Sequence, residues 1–404
     1  MKKTPAKKAT SNNPPVALAS PDNTQSIPAK GPQFGQPKAT PDPIKFKTKH
    51  ASDTAAYAIL DKLAKQKGGI PPKPFIPSPI TEPRMSLADA IGKTAGRKYM
   101  DAITKSGQIV FHALGDTGNT RSAKDENEVT DKLVSDFTGE KPGEAPAFCY
   151  NLGDVVYSFG EADYYYDQFY DPYRDYPAPI FAIAGNHDGM VAPGKTTPTM
   201  EAFIANFCAY GQPPHRTPQA GGLLRTANVQ PAVYFTLEAP FVRIIGLYSN
   251  VLEDPGVISS RKSAKPTYHD MPDAQLPFLK AALDRVKSDG FKGAVIIAVH
   301  HPPYVAVTSA GQHGGSPIML AEIDAICKAS GVWPHAVFSG HAHNYQRFTR
   351  RNGGCETPYM VAGNGGHAHN PLSKKGANAL RTPIVQPELS NGSDQIRFFR
   401  FYNG

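Results

Sequence analysis

An α/β domain behind a disordered basic extension is the fold this sequence predicts, and three observations predict it. From Gln108 onward short apolar runs recur, each closed by a glycine or a polar cluster. Segments with helical apolar spacing lie between several of these runs, whereas residues 1–50 carry few large apolar side chains. Strands alternating with helices build a sheet covered by helices. In such sheets ligands gather at the carboxyl ends of the strands.

Residues 1–50, rich in Pro, Lys, Ala, Ser and Asn, lack the apolar surface to form a core and read as a disordered tail. The chain has 404 residues and a formal charge of +8, but the tail holds nine lysines against Asp22 and Asp42, so nine less two leaves +7 of it there. The remainder is close to neutral and no nucleic-acid partner is expected. No apolar run approaches the length of a membrane span. Met1-Lys2-Lys3 starts like a signal peptide, but proline and polar residues follow it. A cytoplasmic location is therefore expected, with export by an unrecognised route as the alternative.

Residues 51–107 read as helical segments (52–67 and about Leu87–Ile103) around a proline-rich connector, Ile70–Pro83. The main domain then spans 108–404. Its predicted strands are Ile109–Leu114, Phe148–Leu152, Ile180–Ala184, Val242–Leu247, Ala294–Val299, Ala336–Phe338 and Tyr359–Ala362, with a further strand-like run at Phe398–Gly404. The predicted helices are Asp125–Phe137, Thr199–Tyr210, Asp273–Lys287 and Pro317–Ala329. The four cysteines show no CxxC pairing and no zinc-type spacing. Cys149 and Cys327 read as buried thiols, and a Cys208–Cys355 disulfide stays open.

The chemistry-bearing residues fall at strand ends. The first strand runs into Leu114-Gly115-Asp116-Thr117-Gly118 and the second into Gly153-Asp154-Val155-Val156-Tyr157. The third ends in Gly185-Asn186-His187-Asp188, the fourth in His300-His301, and the fifth in Ser339-Gly340-His341-Ala342-His343. A carboxylate at a strand end can bridge two cations, one to each oxygen, and a nearby tyrosine can offer a phenolate to a hard one. Asparagine adds a neutral carbonyl oxygen, and His187 can hydrogen-bond or give a proton. Taken singly, each aspartate reads first as a turn residue and each histidine as a satisfied polar group. Together, two Asp, Tyr, Asn and three His are enough for two metals sharing one carboxylate, and oxygen and imidazole donors without thiolate select Fe, Mn or Zn.

The order of these blocks, closed by Gly363-Asn364-Gly365-Gly366, resembles the calcineurin-like metallophosphoesterases over roughly Gln108 to Gly366. Gly118, where the wider superfamily usually has histidine, and Tyr157 make it most similar to their purple acid phosphatase branch. The resemblance implies a four-layer α/β/β/α sandwich. It implies two metal ions: Fe(III) held by Asp116, Asp154, Tyr157 and His343, and divalent Fe, Zn or Mn held by Asp154, Asn186, His300 and His341. It also implies that Asn186 and His187 contact the substrate phosphoryl group, with His313 or His301 completing the phosphate pocket and His187 or His313 protonating the leaving oxygen. His367 and His369, beyond the matched region, read as surface polar residues, with lining of the pocket edge as the alternative.

The expected activity is hydrolysis of a small phosphomonoester by a metal-bound hydroxide. The alternatives are a phosphodiesterase on the same centre and a binding protein that has lost turnover. Tyr164, Tyr165, Tyr166, Phe169, Tyr170 and Tyr173 form an aromatic cluster read as a packed loop, with a base or sugar platform as the sharper alternative.

Overall fold

The computed structural model describes residues 78–367, apart from 120–123, 139–143, 158, 192–195, 197, 209–228, 250–255, 260–272, 307–314 and 353–354, together with strands at 384–385 and 395–402. The predicted tail and the helix over 52–67 lie outside the described residues.

A short parallel sheet is formed by β2 (His112–Leu114), β3 (Cys149–Asn151) and β4 (Ile180–Ala182). The larger sheet contains β1 (Arg84–Ser86), β5 (Phe235–Ala239), β6 (Val242–Leu247), β7 (Ala294–Val299), β8 (Ala336–Ser339), β9 (Tyr345–Asn352), β10 (Cys355–Ala362), β11 (Ile384–Val385) and β12 (Gln395–Tyr402). Its order is β1-β5-β6-β7-β8-β10-β9-β12-β11. β6, β7 and β8 run parallel, so β7 and β8 deliver their carboxyl ends to the same rim.

Side chains alternate across each strand with a period of two. Phe148 and Tyr150 join Phe181, Ile183, Phe235, Ile244, Ile296 and Ala298 in one buried cluster between the sheets. Cys149, Ile180 and Ala182 face the other way, as do Ile245, Leu247, Val295 and Ile297 of the larger sheet. Helices cover these outer faces. Val129 and Leu133 of α3 (Lys124–Ser135) and, beyond the one-turn α4 (Asn186–Gly189), Phe203 and Phe207 of α5 (Glu201–Phe207) pack in that second cluster. So do Phe278, Leu279 and Leu283 of α6 (Gln275–Ser288) and Met319 and Ile323 of α7 (Pro317–Ser330). The result is the expected α/β/β/α layering.

Several elements depart from their predicted bounds. The helix expected over Leu87–Ile103 is two helices, α1 (Leu87–Ile91) and α2 (Lys93–Ser106), because Gly92 takes φ 110° between them. The first strand is confined to His112–Leu114. β1, β5, β9 and β11 match no predicted strand. β9 hides because its buried positions include polar ones: Gln346 and Arg350 point inward beside Phe348. Arg350 is neutralised there by a two-armed pair with Asp324 at 2.8 and 2.7 Å. All four cysteines are free, and Cys208 is buried while Cys355 is exposed, so the open disulfide does not form. Tyr164, Tyr165, Phe169, Tyr170 and Tyr173 are buried in the core and present no platform.

Candidate metal centre

Three of the five strand ends come from the short sheet and two from the large one, and they meet at one rim. Gly340 N–H donates to the His300 carbonyl at 3.0 Å, and His300 Nδ1–H donates to the Leu152 carbonyl at 2.8 Å. The second bond stitches the sheets together. It also fixes the tautomer, because a ring whose Nδ1 carries the proton turns Nε2 inward as the donor atom.

Two clusters result. In the first, Tyr157 Oη lies 3.1 Å from Asp116 Oδ1, 3.0 Å from Asp154 Oδ2 and 3.2 Å from His343 Nε2. In the second, Asn186 Oδ1 lies 3.0 Å from His300 Nε2 and 3.1 Å from His341 Nδ1, and His300 Nε2 is 3.2 Å from Asp154 Oδ2. Asp116, Asp154 and His343 could hold one ion; Asp154, His300 and His341 could hold another. Asp154 belongs to both.

The two oxygens of Asp154 have different neighbours. Asp154 Oδ1 accepts the His187 backbone N–H at 2.8 Å, so Oδ2 alone faces both clusters. Asp116 is arranged the same way: Oδ2 accepts the His341 N–H at 2.7 Å and Oδ1 points to Tyr157. One backbone bond per carboxylate removes its rotational freedom and aims the other oxygen. This close approach depends on Gly185, since a Cβ there would overlap the Asp154 carboxylate.

The electrostatics ask for positive charge. His300 is buried, which alone would lower its pKa, but Asp154 beside it outweighs burial and raises it to about 9. For Asp154 burial works upward, yet the His300 and His187 interactions hold it well below the usual carboxylate range. Asp116 is pushed up to about 6 by burial, with the Asp154 charge adding to it. Burial and both carboxylates raise the Tyr157 phenol well above free tyrosine, so only a strongly polarising cation would hold it as phenolate.

Every predicted site residue within the described region can be placed. Asp116, Asp154, Tyr157, Asn186, His300, His341 and His343 converge, and the His187 ring sits 4.2 Å from the Tyr157 ring. His301 is buried behind them, its Nδ1 2.7 Å from Ser249 Oγ and its ring 4.2 Å from that of His341. His313 and His369 lie outside the described residues. Two participants were not assigned from sequence. Asp188 accepts N–H bonds from Gly185 at 2.9 Å, Val155 at 3.1 Å and Val156 at 3.2 Å, tying the second and third ligand loops together. His367 lies against Tyr157, with ring centroids 3.8 Å apart. The signal was its place directly after the glycine-rich segment 363–366, which made the pocket edge the alternative reading for it.

The family model for calcineurin-like phosphoesterases matches residues 109–345. Purple acid phosphatase 18 of Arabidopsis thaliana is 35% identical over 135 residues, 32% of this chain and 30% of that protein. The match thus spans less than a third of that relative's length. Among solved structures, the purple acid phosphatase PPD1 from yellow lupin (Lupinus luteus) seeds aligns over 67% of this chain and 47% of its own, at 15% identity and TM-score 0.43. GAP50, the anchor in the inner membrane complex of Plasmodium, aligns over 67% and 76%, at 14% identity and TM-score 0.42. No helix among the described residues is long and apolar enough to cross a membrane.

Proposed function

The chain belongs to the calcineurin-like phosphoesterase family, and from that premise we propose that it is a metal-dependent hydrolase of small phosphomonoesters with a dinuclear centre. The observation that carries the reading is the shared Asp154 Oδ2, flanked by Tyr157 Oη at 3.0 Å and His300 Nε2 at 3.2 Å. The residues fit two cations. Carboxylate, amide, phenol and imidazole donors point their lone pairs inward, and a raised His300 pKa is what a cation-seeking pocket produces. The proposed holders are Asp116, Asp154, Tyr157 and His343 for Fe(III), and Asp154, Asn186, His300 and His341 for divalent Fe, Zn or Mn.

Such a pair of cations would neutralise the phosphoryl oxygens and lower the pKa of a coordinated water. The protein's part is to hold the donors rigidly and place His187 at the rim. There its imidazole is proposed to contact the phosphoryl group and give a proton to the leaving oxygen. His313 keeps its proposed role as second proton donor on sequence grounds alone.

The test is metal content together with turnover of a chromogenic phosphomonoester and the matching diester. Two equivalents of metal with monoester turnover support the reading. Preference for the diester transfers it to the phosphodiesterase alternative, and two bound metals without turnover of either ester identify a silent binding protein.

A further inference from the structure

The Tyr157 ring is held between two imidazoles. His367 lies 3.8 Å from it with the ring planes 11° apart, and His187 lies 4.2 Å from it, tilted 38°. Two rings at such distances cannot share one face, so they take opposite sides. The His367 ring is fixed in turn: its backbone N–H donates to the Asp116 carbonyl at 3.0 Å and its Nδ1–H to the Gly118 carbonyl at 2.8 Å. We propose that His367 is a positioning residue for Tyr157, its stacked imidazole aiming the phenol oxygen at Asp116, Asp154 and His343. This rests on the reading of Tyr157 as a donor to the first cation.

The segment that carries His367 is laced to the first ligand loop. Gly115 N–H donates to the Ala362 carbonyl at 2.8 Å, Gly365 N–H to the Gly115 carbonyl at 3.0 Å, and Asn119 Nδ2 to the Gly366 carbonyl at 3.0 Å. Gly366, at φ 137°, passes so close to α3 that a Cβ there would stand 2.7 Å from Glu126 Cα. The chain therefore spends a tight glycine turn and several hydrogen bonds to set one imidazole on one phenol. A ring rotation of about 10–20° is enough to spoil a ligand constellation. The phenol oxygen sits at the far end of a rigid ring, where such a rotation has its largest effect.

The experiment measures Zn(II) affinity by chelator competition, and the visible spectrum after Fe(III) loading, for wild type, Tyr157→Phe, His367→Ala, His367→Phe and His367→Gln, with circular dichroism as the check on folding. Residues that orient a ligand change metal affinity by about 10–100-fold. His367→Ala and His367→Gln should loosen one of two zinc equivalents by about that factor and shift the ferric absorption band. His367→Phe keeps the stack and should stay within about threefold of wild type. If Tyr157→Phe loosens one equivalent and His367→Ala loosens none, the positioning role is overturned while the donor reading stands. If Tyr157→Phe leaves both equivalents untouched, the donor reading fails and takes the positioning role with it. Rescue by glutamine and not by phenylalanine would also overturn it, because the bond to Gly118 and not the stack would then be responsible.

Discussion

Asp116 and His341 are 225 residues apart in the chain, yet the His341 N–H donates to Asp116 Oδ2 at 2.7 Å. Both residues hold left-handed backbone, φ 57° and 72°, as does Asp154 at φ 55°. Non-glycine residues in that region cost on the order of 1–3 kcal/mol each and persist only where the surroundings over-determine them. Three of the five such residues among those described are proposed metal ligands. The bond between Asp116 and His341 is part of what keeps them there.

That pairing separates structure from chemistry at Asp116. Asp116→Asn still offers an oxygen to the His341 N–H, whereas Asp116→Ala orphans it in a buried site at a cost of about 1–3 kcal/mol. Both variants should lose one metal equivalent and phosphatase turnover. Only the alanine variant should also fall in urea stability, which equilibrium unfolding will show.

Asp154→Asn should remove both equivalents at once, because a single oxygen serves both clusters. In the chelator-treated protein it also removes the partner that keeps the buried His300 protonated, so the imidazole turns neutral and the stability that its raised pKa supplies is lost. Metal analysis and urea unfolding test the two halves. One retained equivalent would contradict the single-oxygen bridge.

The chelator-treated protein should lose stability as pH rises. The folded pKa of His300 is raised to about 9 from the ordinary 6.5 of histidine. Its contribution is therefore fully present below pH 6.5 and is lost as pH climbs through 9. Asp116, raised by burial to about 6, acts in the same direction over a lower window. Between pH 6.5 and 9 the loss from His300 should be on the order of 3 kcal/mol, read as a falling urea midpoint. Metal binding needs His300 neutral, so zinc affinity should rise across that same window. A midpoint that stays flat from pH 6.5 to 9 would contradict the coupling.

Gly118→His restores the residue the wider superfamily usually carries, and the fold should resist it. A Cβ at that position would stand 2.5 Å from Gln168 Oε1 and 2.6 Å from the Val155 carbonyl. Those atoms are engaged, since Gln168 Oε1 accepts the Tyr157 N–H at 2.9 Å. Overpacking of this kind costs about 1–3 kcal/mol, and displacing Gln168 would also disturb Tyr157. The melting temperature should fall, and the ferric band should weaken with it.

Much of the fold was legible because its signals are local. The Ala294–Val299 and Val242–Leu247 runs match their strands residue for residue. Pro317 after Ser316 marks the start of α7, whose Ser316 cap accepts from Met319 N–H at 3.3 Å. β9 escaped because Gln346 and Arg350 are made buriable by partners distant in sequence. Gln346 Oε1 accepts the Ala306 N–H at 2.7 Å, and Arg350 has Asp324.

The sequence by itself determined that two aspartates, a tyrosine, an asparagine and three histidines stand at strand ends, since glycine-punctuated apolar runs specify where a strand stops. Only the tertiary structure decided that Asp154 shares one oxygen, that Asp188 ties two ligand loops together, and that His367 lies on Tyr157. Which oxygen faces the clusters, and which ring finds which, depends on backbone N–H groups and carbonyls that meet only when loops 33 to 249 residues apart are packed against each other.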